Sequence, residues 1–175
     1  MTIERPTESE YAPFYAGYIA GLPPGDVLEQ LASQTSQIRR LAAGIPADRE
    51  TYRYAPGKWS LREVIGHLID GERVFGYRAL CISRGDQTPL PGFDENRFVE
   101  SSGYDARPLS SLVDELTFVR ESNLLLFRHL DAEAWQRTGI ANANPVSVRA
   151  LAFIMAGHVH HHLRILDEWY GVRAE

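Results

Sequence analysis

Where apolar residues in this chain recur regularly, they do so nearly everywhere at the 3.6-residue period of one helix face, not at the two-residue alternation of a half-buried strand. Stripes of that kind are buried helix against helix, so the expected fold class is all-α. Four segments are long. The first follows Asp26, which with Glu29 has N-cap spacing, and runs to about Ala43 with Val27, Leu28, Leu31, Thr35, Ile38 and Leu41 or Ala42 on one side. The second follows Ser60, where Ser60-Leu61-Arg62-Glu63 is spaced as a capping box, and runs to about Ser83, before Arg84-Gly85; Leu61, Val64, Ile65, Leu68, Phe75 and Leu80 are among its apolar positions. A third spans Ser110 or Ser111 to about Leu130. The fourth starts near Ser147, after Pro145, and ends near Tyr170, before Gly171. Shorter helical stretches are expected at Tyr11 to Ala20 and Ala132 to Gln136, with an extended connection at Tyr52 to Lys58.

Four rods of roughly 27 to 36 Å, at 1.5 Å per residue, suit a four-helix bundle. Between the second and third lies a connection over 85–108 with Pro89, Pro91, Gly92, Gly103 and Pro108. A connection that long lets the two helices it joins run parallel, and long loops in small domains are often functional. The expected organisation is one domain over 1–175, with a core of about 26–170 and an N-terminal extension over 1–25. The formal charge of −5 lacks the basic field that phosphate-backbone binding needs, so no nucleic-acid partner is expected. The longest wholly apolar run, Ala150 to Gly157, falls far short of the roughly 20 residues that cross a bilayer, so no membrane partner is expected. The opening MTIERPTESE has no secretory apolar stretch, and Cys81 is the single cysteine; a cytoplasmic location follows as the expectation.

Four of the six histidines fall in Gly157-His158-Val159-His160-His161-His162 on the last predicted helix. His158 and His162 are i and i+4, one above the other on the face that also carries Leu151, Met155, Ile165, Leu166 and Trp169. His160 is turned about 200° from that face, toward water, by the 100° step of a helix; His161 lies at its edge. Two inward imidazoles need partners, and either carbonyls and acids or a metal ion would serve. His67, on the second predicted helix, has Val64 at i−3 and Gly71 at i+4, so its stripe faces inward and is relieved of bulk one turn later. Taken together, His67, His158 and His162 make a three-nitrogen set on facing helices, which for zinc is the open, catalytic pattern.

Asp70, three residues after His67, is the candidate catalytic group, as proton acceptor or as orienter of a ligand. Glu63 is assigned to the cap, His129 to the dipole at its helix C-terminus, and Cys81 to packing. Glycine-rich phosphate loops and the GxSxG pattern are absent, and no other cofactor-binding residues stand out. Trp135, Trp169 and Tyr170 are candidates for core or interface.

Three blocks, Lys58-Trp59-Ser60-Leu61-Arg62-Glu63-Val64-Ile65-Gly66-His67-Leu68-Ile69-Asp70-Gly71-Glu72, Pro91-Gly92-Phe93-Asp94-Glu95-Asn96-Arg97 and Ala156-Gly157-His158-Val159-His160-His161-His162, resemble in order the DinB-like (YfiT-like) superfamily over about residues 26–170. The resemblance implies a four-helix bundle of up-down-down-up topology, a divalent metal on His67, His158 and His162, and a homodimer. It implies metal-dependent hydrolysis or transfer of a low-molecular-weight thiol. The extra His160 and His161 depart from a minimal ligand pattern and leave open a register in which His161 coordinates.

The expected function is therefore that of a divalent-metal-binding hydrolase acting on a small molecule through a metal-bound water. The alternatives are a metal-dependent low-molecular-weight thiol S-transferase and a non-catalytic, metal-stabilised stress-response module. Zinc or nickel comes first among the ions, then iron or manganese. Phe93, Asp94 and Arg97 of the long connection are expected to wall the pocket.

Overall fold

The computed structural model describes residues 3–173; Met1, Thr2, Ala174 and Glu175, the ends of the expected 1–175 domain, lie outside the described residues. Four long helices form the bundle: α2 (Val27–Ala43), α3 (Leu61–Ser83), α5 (Leu109–Arg128) and α7 (Val148–Tyr170). They run up, down, down, up, as expected. Both α2 and α3 pack against α5 and α7, so successive helices α2 and α3 take opposite corners of the bundle.

The helix starts are set by local chemistry. Asp26 accepts from the amides of Leu28 and Glu29, Ser60 and Glu63 form the reciprocal capping box, and the Ser147 hydroxyl accepts from the Ala150 amide. α5 begins a residue before the expected Ser110, with Pro108 as its N-cap. The short first helix is half the expected length. Ala12 is extended, as a residue before proline prefers, Pro13–Tyr15 is one 3₁₀ turn, and α1 covers only Ala16–Ala20.

A further α-helix and a β-hairpin have no counterpart in the sequence reading. The 85–108 connection contains α4 (Glu95–Ser102), capped by Asp94. After α6 (Ala132–Gln136) comes a hairpin of β1 (Thr138–Ala141) and β2 (Asn144–Ser147). Its two-residue turn puts both Asn142 and Ala143 at positive φ, 51° and 60°. Asn tolerates that conformation and Ala does not favour it, so the turn carries little sequence signal. Leu90 pairs with the hairpin through the Ile140 carbonyl and the Asn142 amide, tying the long connection to it.

The apolar core falls into two clusters with a polar layer between them. On α2 the division falls at Gln34, on α3 between Ile69 and Phe75, on α5 between Leu116 and Leu124, and on α7 between Ala156 and Val159. Gln34, Glu72, Arg120 and His158 lie at those divisions, all buried. Two residues expected on inward stripes face outward: Leu80 is 42% and Trp169 59% exposed. Leu80 lies thirteen residues from His67, on the other side of α3. On α7 the inward stripe steps through Val159, His162, Leu166 and Tyr170, so Tyr170 turns in, its hydroxyl donating to the Trp59 carbonyl at 2.5 Å, while Trp169 packs on Tyr54. Trp135 is core, stacked on Phe127.

Candidate metal centre

α3 and α7 bring His67, His158 and His162 together. One donor nitrogen from each lies within 4.8 Å of the others, and the side chains are 6%, 5% and 7% exposed. The three rings meet edge to face at centroid separations of 4.7 to 4.8 Å. Nε2 of His67 is 2.8 Å from Nε2 of His158. Nδ1 of His67 and Nδ1 of His162 are sealed from solvent and have no hydrogen-bond partner among the described residues.

Burial disfavours the imidazolium form at all three. It holds His67 down to about 4, aided by nearby His161, and holds His158 and His162 well below the ordinary histidine value, aided by the neighbouring imidazoles. Three neutral imidazoles at this spacing, two of them with an unpartnered buried nitrogen, fit a single divalent ion, whose bonds to nitrogen run about 2.0–2.1 Å for zinc.

Glycines and aromatics set the rings in place. A Cβ on Gly71 would lie 3.0 Å from Cε1 of His158, so the gap left one turn after His67 is filled by the His158 ring. Trp59, just before the α3 cap, covers His67 at 4.7 Å. At Gly157 a Cβ would meet the Tyr18 carbonyl oxygen at 2.4 Å; the absence of a side chain lets α1 lie directly on α7. Tyr18 thereby contacts both His158 and His161.

The three histidines open onto a cavity of about 530 Å³. Much of its wall was not read from sequence. Ala12, Phe14, Tyr15 and Tyr18 come from the segment before α2, Arg78 from α3, and Asn142 and Asn144 from the hairpin. The available signals were the aromatic density of residues 11–18 and the place of Arg78 on the stripe of His67.

Of the three long-connection residues expected to wall the pocket, Phe93 does so, edge to face with Phe75 at 6.4 Å. Asp94 instead accepts from the amides of Asn96 and Arg97 as the cap of α4, and Arg97 is exposed and outside the lining; Glu95 lines the wall. His161 lines the cavity, whereas His160 is half-buried and outside the lining, not fully turned to water.

Asp70 is half-buried and outside the cavity lining. Its Oδ1 accepts from the Tyr104 hydroxyl at 2.7 Å, and it does not reach the unpartnered Nδ1 of His67. Burial pushes its carboxyl above the usual range, opposed by the Tyr104 hydrogen bond. Glu63 completes the α3 cap and pairs with Arg53, as a capping residue should. His129 sits at the end of α5 with Nδ1 2.7 Å from the Leu125 carbonyl, and Cys81 is half-buried beside the core.

Compared with known families, the chain matches the model of the DinB superfamily over residues 7–166. No curated protein matches it. Among solved structures it is similar to YfiT from Bacillus subtilis, described as "a probable metal-dependent hydrolase with an unusual four-helix bundle topology", at 19% identity and a TM-score of 0.72, covering 96% of this chain and 94% of that one. It is also similar to a mycothiol-dependent maleylpyruvate isomerase, at 14% identity and a TM-score of 0.66, covering 82% of this chain. The match spans 60% of the isomerase's length. At these identities the likeness is one of fold.

Proposed function

The chain belongs to the DinB superfamily, and from that premise we propose that it is a divalent-metal-dependent hydrolase of a small molecule, with His67, His158 and His162 as the ligands. The observation that carries the reading is the cluster of three buried, neutral imidazoles at the wall of a cavity large enough for a small substrate. A divalent ion held there supplies Lewis acidity, which lowers the pKa of a water or thiol and polarises a carbonyl.

The chain's own residues do the rest. Trp59 and Tyr18 flank the histidines and keep bulk water from their rings. Phe14, Phe75 and Phe93 offer apolar surface to a substrate. Glu95 and His161 are the lining groups able to exchange a proton with it. Asp70, through Tyr104, braces α3 one turn from His67 and orients that helix face.

Thiol transfer is the second reading. A cavity of about 530 Å³ has room for a small thiol and an electrophile together, and the mycothiol-dependent isomerase has the same fold. Homodimerisation and a cytoplasmic location remain part of the proposal; among the described residues no helix is long and apolar enough to cross a membrane.

Elemental analysis of the purified, untagged protein tests the metal. About one ion per chain is expected, lost in His67→Ala, His158→Ala and His162→Ala and kept in His160→Ala. A wild-type protein free of metal after incubation with zinc, nickel and manganese overturns the reading. Substrate screens with and without a small thiol then separate hydrolysis, which needs none, from transfer, which consumes it.

A further inference from the structure

Arg78 lies eleven residues beyond His67 on α3, three turns and about 20° around the helix and about 16 Å along it. His67, Gly71, Phe75 and Arg78 thus form one stripe, and all but the glycine line the cavity. Arg78 is 3% exposed, yet among the described residues no carboxylate pairs with it. Arg120, the other fully buried arginine, has Glu72, and the partly buried Arg149 and Arg62 have Glu10 and Glu50.

Arg78 gives one Nη to the Pro91 carbonyl at 2.7 Å and rests on the Phe75 ring, 5.8 Å from its centroid. A guanidinium carries five N–H donors. Its remaining nitrogens are not among the sealed, unpartnered atoms, and Arg78 lines both this cavity and an adjoining apolar groove with Tyr77, Leu90 and Phe98. Glu95, the acid of the same lining, forms no ion pair with Arg78 among the described residues.

A cation removed from water without a counter-charge is costly, and a ligand's anion offsets that cost. The planar fork of arginine matches a carboxylate with two parallel hydrogen bonds. Phe75 lies between the two ends of the stripe, its ring 5.9 Å from that of His158, and Phe93 adds a second apolar face.

We propose that Arg78 is the carboxylate anchor of this cavity. Its ligand is a small carboxylic acid whose anionic end pairs with Arg78 and whose apolar body lies along Phe75 and Phe93 toward the histidines. The inference rests on the proposed function for what happens at the histidine end; the pairing at Arg78 needs no ion.

The test is a ligand-observed NMR titration of chelator-treated and zinc-loaded protein with 3-phenylpropionate, its neutral amide 3-phenylpropionamide, and phenyl phosphate. The acid is expected to bind the metal-free protein about tenfold more tightly than the amide, the size of one charge-assisted pair. Arg78→Gln should abolish that preference, and Arg78→Lys, which keeps the charge without the fork, should reduce it. The proposal is overturned if the acid fails to bind, binds no better than the amide, binds only when zinc is present, or keeps its preference in Arg78→Gln. Binding of phenyl phosphate in preference to the acid overturns the carboxylate class. Should Arg78→Gln not fold, the acid-to-amide ratio in wild type and its fall in Arg78→Lys decide the matter. A wild type that holds no metal sinks the proposed function and leaves the Arg78 pair standing; an acid preference independent of Arg78 does the reverse.

Discussion

The Arg120 guanidinium grips the Glu72 carboxylate with two hydrogen bonds, 2.5 and 2.9 Å long, where neither side chain is more than 3% exposed. The same guanidinium reaches the Leu31 carbonyl and Gln34, and the Gln34 amide donates to the Ala156 carbonyl at 2.7 Å. All four long helices are therefore joined through one polar layer. Every one of these groups is satisfied within the layer, which makes a single register of α2, α3, α5 and α7 correct.

Removing one charge of that pair leaves the other buried alone. Arg120→Met is expected to cost about 3–5 kcal/mol, as is Glu72→Met, whereas the double replacement recovers much of the loss because neither charge is left stranded. Urea unfolding of the two single variants and the double variant measures the coupling. Additive losses would mean that the pair does not hold the layer.

The N-terminal segment is tied to the start of α7 by Glu10. Its carboxylate takes two hydrogen bonds from Arg149, at 2.6 and 2.7 Å, one from the Ser147 hydroxyl at 2.7 Å, and one from the Thr7 amide at 2.8 Å. Burial works to raise this carboxyl, and the Arg149 and Thr7 bonds overcome it, holding it at about 2 against an ordinary 4.5. The stabilisation is complete above pH 4.5 and is lost as the pH falls through about 2, because the unfolded chain takes up the proton first. Glu10→Gln is expected to cost about 1 kcal/mol near neutrality, as a partly screened pair does, with the gap to wild type closing as the pH falls toward 2. Denaturant midpoints measured down that pH range check the slope. A gap that stays constant would mean that the carboxylate charge is not what ties the segment down.

How much of this was legible depends on how local each cause is. Ser60 with Glu63, Asp26 and Ser147 announce helix starts because a cap is a contact within three residues. The inward faces of His67 and of the His158 and His162 pair followed from helix period, and the family resemblance placed them on one site. The hairpin did not, because its strands are only four residues long and its turn, Asn142-Ala143, lacks the glycine that marks such turns. Asp94 looked like a pocket residue and is a cap, since α4 was not recognised in the long connection. Tyr18 joins the site only because Gly157, on the far side of the sequence, lets the backbone of α1 approach. Arg78 was visible on the stripe of His67, but its lack of an acid partner is a property of the packed molecule.

Gly157→Ala tests that approach. The new methyl would meet the Tyr18 carbonyl oxygen at 2.4 Å, and backbone on a packed helix has little room to yield. A loss of about 1–3 kcal/mol is expected, the range for overpacking, despite the better helix propensity of alanine. The displaced residues 12–18 should also become the first site of limited proteolysis, with cleavage faster than in wild type. Unchanged stability and an unchanged cleavage pattern would show that α1 does not depend on this contact.

Gly71→Ala separates positioning from stability. A methyl at this point lies 3.0 Å from Cε1 and 3.2 Å from Nδ1 of His158, so the ring has to shift by a few tenths of an ångström. The ring is also held from the other side by His67, 2.8 Å away, so the shift spoils the mutual spacing of the two nitrogens. Within a helix the same replacement gains up to about 1 kcal/mol of propensity. The metal-free variant is therefore expected to melt at or above the wild-type temperature, while its zinc affinity falls about tenfold, the effect of disturbing a ligand's support. Calorimetry of the metal-free proteins and a competitive zinc titration give the two quantities independently. A variant that binds zinc as tightly as wild type would show that the His158 ring is not the ligand whose position matters.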